Sequence, residues 1–112
     1  MPPLSCHVIS NTHWDREWRY PFQAYRMDLV DMMDRLLDVI EQRDDYGAFV
    51  LDCQTVILED YLEIRPESER RIARLVKADR LQIGPWHTLP DMWCCPGEAL
   101  VRNLLMGHRV AR

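Results

Sequence analysis

The residues best equipped for chemistry lie together near the start of the sequence, in Asn11-Thr12-His13-Trp14-Asp15-Arg16-Glu17-Trp18. These eight positions hold an imidazole, two carboxylates, a guanidinium and two indoles. His13 and Asp15 are one residue apart, and in an extended backbone positions i and i+2 point the same way. An imidazole nitrogen beside a carboxylate oxygen is a typical pair of ligands for a divalent transition metal. A catalytic metal commonly has three protein ligands and an open position, so a third ligand must come from elsewhere in the fold or from outside the chain. Alone, H-x-D is frequent by chance, and a loop histidine hydrogen-bonded to a nearby carboxylate is the simpler account. Trp14 and Trp18 flank the pair. An indole beside polar groups can carry the apolar face of a sugar ring, or it can be core at the mouth of a barrel. Trp18 is the one expected to face ligand. Arg16 and Glu17 read as scaffolding.

Other polar residues have plainer readings. Asp52 ends the apolar run Ala48-Phe49-Val50-Leu51, where a carboxylate needs partners. It either orients His13 or caps the helix that follows. Asp91 falls in a loop, and Glu98 in a first helical turn, where negative charge is favoured in any case. His87 and His108 read as solvent-facing or structural. Cys6, Cys53, Cys94 and Cys95 lack zinc-finger spacing, and no positioned base accompanies them, so nucleophilic roles are not expected. Adjacent Cys94 and Cys95 make a poor disulfide. Reduced thiols in a cytoplasmic protein are the expectation.

The elements that must position these groups follow from periodicity. A short strand is expected at Cys6 to Ser10. From about Ala24 to Gln42, apolar Leu29, Val30, Met32, Met33, Leu36, Leu37, Val39 and Ile40 alternate with a polar stripe, which predicts a broad amphipathic helix. Residues 43–47 break it. Ala48 to Leu51 is a second strand, Thr55 to Ile64 a short helix, and Pro66 opens another helix with Ile72, Leu75 and Val76 as its buried stripe. Leu81 to Gly84 is a third strand. Pro85 to Pro96 is a loop, and Glu98 to Arg112 a last helix with Leu100, Val101, Leu104 and Leu105 on one face. Strands alternating with helices at this spacing predict an α/β fold with a parallel sheet and right-handed crossovers. Three strands leave two open edges, so residues 1–112 read as the N-terminal portion of a larger β/α barrel. Ligands of such folds bind beyond the carboxyl ends of the strands, and all three ends here carry polar groups.

The chain has 112 residues, of which 47% are hydrophobic and 29% charged, as in ordinary globular proteins. A net charge of −4 argues against a nucleic-acid partner. No apolar run approaches the roughly 20 residues of a membrane span, and no secretory signal is expected.

Several spaced blocks resemble one family. They are Asn11 to Trp18, then Val50-Leu51-Asp52-Cys53-Gln54 with Leu58-Glu59-Asp60-Tyr61, then Gly84-Pro85-Trp86, and last Glu98 with Val101-Arg102-Asn103-Leu104-Leu105 and Gly107. From about His7 to its end the chain resembles the N-terminal part of the catalytic domain of glycoside hydrolase family 38 α-mannosidases of the bacterial and cytosolic type. The resemblance implies the opening β/α units of a seven-stranded β/α barrel. It implies a retaining exo-glycosidase acting on terminal α-linked mannose, in a mannose-containing glycan or a small mannoside. One divalent metal is implied, zinc foremost and cobalt in some members, with His13 and Asp15 as two of its ligands and Trp18 lining the sugar subsite. Homo-oligomerisation of a full-length parent is left open. Three positions depart from the pattern: Cys53 and Asp79 stand where glycine is usual, and His87 replaces the frequent aromatic after Trp86.

The same resemblance puts the nucleophilic aspartate, the acid/base carboxylate and the remaining metal-binding histidine beyond Arg112. The chain therefore contributes no catalytic carboxylate of its own and is expected to be inactive alone. Two other readings compete. A metal-dependent carbohydrate deacetylase would favour a third ligand in a His-x-x-x-His pattern, which is absent here. A non-catalytic carbohydrate-binding or interaction fragment would keep the barrel start and bind metal poorly.

Overall fold

A computed structural model describes residues 3–112. Three parallel strands, β1 (Ser10–Thr12), β2 (Phe49–Leu51) and β3 (Leu81–Gln82), form a sheet in the order β1-β2-β3. Ser10 pairs with Phe49, and Phe49 with Leu81. The crossovers are α1 (Phe22–Gln42) between β1 and β2, then α2 (Val56–Leu62), a 3-10 turn (Pro66–Ser68) and α3 (Glu69–Lys77) between β2 and β3. Helix α4 (Gly97–Val110) follows. The expected α/β alternation with a parallel sheet is what forms.

Helix α1 exists because its apolar residues recur at helical spacing. Leu29, Met33, Leu36, Leu37 and Ile40 are buried along one stripe, each worth about 1.5–3 kcal/mol of burial. They meet Val56, Ile57, Leu58 and Tyr61 of α2, Ile72 and Leu75 of α3, and Leu51 and Leu81 from the strands. Helix α1 has no basic residue in its last turn. Arg80 supplies one from the start of β3: its guanidinium donates to the carbonyls of Ile40, Arg43, Tyr46 and Gly47 at 2.8–3.0 Å. Those carbonyls lack helical partners, so one side chain closes α1 and fixes β3 beside β2.

The first strand lies later than expected. Of Cys6 to Ser10 only Ser10 joins the sheet, because pairing with β2 begins there; Val8 and Ile9 are apolar but exposed. The last helix also differs. Val101 and Leu105 are more than half exposed, and Gly107 is the buried residue of α4. A Cβ on Gly107 would stand 2.1 Å from the Pro85 carbonyl oxygen and 2.6 Å from the His87 nitrogen. The absent side chain is what lets α4 lie on the loop after β3.

Cys53 and Asp79, where the resemblance implied glycine, both have left-handed backbones: φ is 53° at Cys53 and 55° at Asp79. Asp79 follows α3 in a Schellman arrangement. Its amide donates to the Val76 carbonyl, and that of Arg80 to the Leu75 carbonyl. Glycine is usual there because it has no Cβ to crowd the turn.

Candidate functional site

The three strand ends converge. His13 follows β1 directly, Asp52 to Gln54 follow β2, and Trp86 to Leu89 come after β3 and the cis Gly84–Pro85 peptide. The β3 segment is laced to β2 by backbone bonds: Trp86 N to Cys53 O, Thr55 N to Trp86 O and Val56 N to His87 O. Between these segments lies an open cleft of about 280 Å³, lined by His13, Trp14, Asp15, Arg16, Glu17, Gln54, Thr88 and Leu89. A larger groove runs along the open edge of β1 against α1 and holds neither His13 nor Asp15.

Asp52 is the buried centre of this arrangement, with 7% of its surface exposed. Its Oδ2 accepts from the Trp14 amide and from Gln54 Nε2, both at 2.6 Å. Its Oδ1 lies 3.2 Å from His13 Nδ1. A carboxylate can only accept, so Nδ1 carries the proton and the Nε2 lone pair is left free. Nε2 lies 3.7 Å from Asp15 Oδ1. Two ligand bonds of about 2.0–2.2 Å to one ion can span that gap. The sequence left Asp52 either orienting His13 or capping α2. It orients His13, and Thr55, with no capping side-chain bond, occupies the cap position of α2. Among the described residues no three His, Cys, Asp or Glu side chains gather as a metal site. His13 and Asp15 thus fit as two ligands, and the set is not completed within residues 3–112.

The flanking residues divide by role. Trp14 packs against the core and meets Tyr25 edge-on at 6.4 Å. Trp18 is 68% exposed and stands outside the cleft lining. Arg16 makes a two-point pair with Asp60 of α2 at 2.6 and 2.8 Å, and its guanidinium lies over the Phe22 ring. The Asp60 hydrogen bonds raise the Arg16 pKa above the ordinary arginine value. Arg26 donates to the Asp60 carbonyl and pairs with Glu63. Arg16 is therefore a strut between the His13 loop and the helical layer, as expected; its partner Asp60 was not legible.

The remaining candidates are structural. His87 pairs with Glu59 of α2 at 2.7 Å. Asp91 accepts from the Trp93 amide within its own turn. Glu98 pairs with Arg102 on exposed α4, and His108 is exposed. All four cysteines are free. Gln54 is the buried cleft residue to which sequence reasoning gave no role; it bonds to Trp14, Asp52 and Leu89. No local periodicity could have found it: Asp52 and Cys53 both have positive φ, 40° and 53°, and that turn brings Gln54 Nε2 back to Asp52 Oδ2.

Residues 3–112 match the model of the glycosyl hydrolases family 38 N-terminal domain. The chain belongs to that family. Its members are glycoside hydrolases. A curated relative from Halalkalibacterium halodurans, named "Putative mannosylglycerate hydrolase", is 46% identical over 103 residues. Those residues are 92% of this chain and 12% of the relative. An α-mannosidase structure from Enterococcus faecalis V583 superposes with a TM-score of 0.87 at 42% identity. A family 38 glycosyl hydrolase structure from Enterococcus faecalis gives 0.82 at 38%. Each covers 92% of this chain, which spans 12% of each of those longer chains. No helix among the described residues is long and apolar enough to cross a membrane.

Proposed function

We propose that residues 1–112 supply half of a divalent-metal site to a retaining α-mannosidase. The substrate is terminal α-linked mannose, on a glycan or on a small acceptor such as the glycerate in the Halalkalibacterium relative's name. The observation that carries this reading is the Asp52–His13–Asp15 arrangement: Nδ1 is engaged by a buried carboxylate and Nε2 is free beside Asp15. A zinc ion, or cobalt, would supply charge stabilisation for an oxocarbenium-like transition state. His13 and Asp15 hold it, Asp52 keeps the imidazole in the ligating tautomer, Arg16 steadies the loop, and Trp18 offers its exposed face to the sugar. The three strands are the opening of a seven-stranded barrel, and free thiols suit a cytoplasmic setting.

Retaining hydrolysis needs two carboxyl groups roughly 5–5.5 Å apart across the scissile bond. Asp15 is assigned to the metal, and Asp52 is occupied by three hydrogen-bond partners. The chain alone is therefore inactive. Calorimetric titration with zinc tests the first half: one-site binding lost in both His13→Ala and Asp15→Ala supports it, and no binding by the intact chain rejects it. Turnover of an aryl α-mannoside by the purified chain would reject the second half.

A further inference from the structure

We propose that Gln54 is a positioning residue that locks the tautomer of His13 and ties the loop after β3 to it. Gln54 is 4% exposed and touches all three strand-end segments. Its Nε2 donates to the Trp14 carbonyl at 2.6 Å and to Asp52 Oδ2 at 2.6 Å. Its Oε1 accepts from the Leu89 amide at 3.3 Å. The partners fix the amide's orientation, because a carbonyl and a carboxylate require the NH₂ group while an N–H requires the oxygen. Trp14 lies between His13 and Asp15, so one amide holds the ligand pair's own backbone, the carboxylate behind His13, and the loop that brings Thr88 and Leu89 to the cleft.

Gln54 acts on His13 through Asp52. With Trp14 N–H and Gln54 N–H both on Oδ2, the free oxygen Oδ1 is turned toward Nδ1. Without the amide, Asp52 loses one of the two donors that set its rotation. Leu89 loses its acceptor at the same time, so the loop at Leu89 and the imidazole are loosened together. One side chain therefore couples the imidazole to the Leu89 end of the cleft wall, while Thr88 stays tied to the Asn103 side chain of α4. This inference rests on the reading of His13 as a metal ligand only for its consequence. The coupling itself is read without metal, so its failure and the failure of that reading are distinguishable.

The test uses the full chain without metal. Gln54→Met keeps an unbranched side chain of similar size and removes every hydrogen bond. Long-range ¹H–¹⁵N correlation of the imidazoles should show His13 as one Nδ1–H species in the wild type and a mixture of tautomers in Gln54→Met. The Leu89 amide should exchange with solvent at least roughly tenfold faster in the variant, while amides of core α1 keep their protection, a selectivity that general destabilisation would not produce. In zinc titration, affinity should fall roughly 10- to 100-fold, the usual effect of removing an outer-shell partner. A folded Gln54→Met chain in which His13 keeps a single Nδ1–H tautomer overturns the proposal. If the variant does not fold, the wild type decides: both Gln54 NH₂ protons should exchange slowly, and free exchange of that amide overturns the proposal equally.

Discussion

Asp52→Asn is the sharpest perturbation of the site, because it changes hydrogen-bond chemistry while keeping shape. Asp52 sits at a φ of 40°. Asparagine tolerates that left-handed backbone better than alanine does, so the fold is preserved. An amide has one acceptor oxygen where the carboxylate has two. The Trp14 amide and Gln54 Nε2 both approach the same oxygen at 2.6 Å, and leaving two buried donors unsatisfied would cost about 1–3 kcal/mol each. The asparagine oxygen therefore takes that place, and its NH₂ faces His13. An N–H donor 3.2 Å from Nδ1 requires a lone pair there, which moves the imidazole proton to Nε2. The nitrogen beside Asp15 then carries hydrogen and no longer offers a lone pair.

Two measurements follow from that inversion. Imidazole ¹H–¹⁵N correlation should report His13 as Nδ1–H in the wild type and Nε2–H in Asp52→Asn. Zinc affinity should fall about 10- to 100-fold, which corresponds to about 1.4–2.7 kcal/mol. Denaturant unfolding should fall by only about 1–2 kcal/mol, since two neutral hydrogen bonds replace charge-assisted ones. If Asp52→Asn folds and His13 still carries its proton on Nδ1, the argument that Asp52 sets the tautomer is wrong, whatever happens to zinc.

Further substitutions probe the supports. Gly107→Ala places a methyl 2.1 Å from the Pro85 carbonyl oxygen; overpacking of about 1–3 kcal/mol should outweigh a helix-propensity gain of about 1 kcal/mol, and urea unfolding together with Thr88 amide exchange reads the loosened loop. Arg80→Met should lose roughly 2–3 kcal/mol, in the range for hydrogen bonds from a charged donor, with the loss seen as a lower urea midpoint and faster exchange at the end of α1. Asp79→Gly should gain about 0.5–1 kcal/mol, because relief of left-handed strain exceeds the added chain entropy of glycine; a lower midpoint would show that the exposed carboxylate has a role of its own. Tyr61 is buried, and that burial, with the Asp34 hydrogen bond next, raises its pKa above the usual tyrosine value. Its contribution is present below about pH 10 and is lost as pH rises through the higher folded value, so Tyr61→Phe should flatten the alkaline arm of the stability profile.

What was legible in the sequence divides by the range of the interaction. Helix α1 was readable because Leu29, Met33, Leu36 and Leu37 repeat locally at the helical period, and burial follows that period. Strand β1 was misplaced because Val8 and Ile9 are apolar without a neighbour to cover them; a strand is made by its partner, and β2 pairs from Ser10 onward. Arg80 carried no local signal at all, since its carbonyl partners lie 33–40 residues away. Gly107 did carry one, a glycine inside a helical run, but which backbone it admits is decided by the loop after β3.

The site follows the same division. His13 and Asp15 stood out by type and spacing only as a weak pair, and the fold brings His13 Nε2 to 3.7 Å from Asp15 Oδ1. Asp52 was ambiguous, since a polar residue at a strand end suits a cap as well as a ligand's partner, and only the folded contact with His13 chooses. Gln54 has no chemistry that a motif would advertise. It matters because one amide can give two hydrogen bonds and take one, and the fold places three separate loops within its reach. An H-x-D pair in a flexible loop would meet many conformations and hold a metal poorly. Here the segment is held by Asp52 and Gln54, 38 to 40 positions further along the chain, and it is that support, more than the residue types, on which the proposed metal half-site rests.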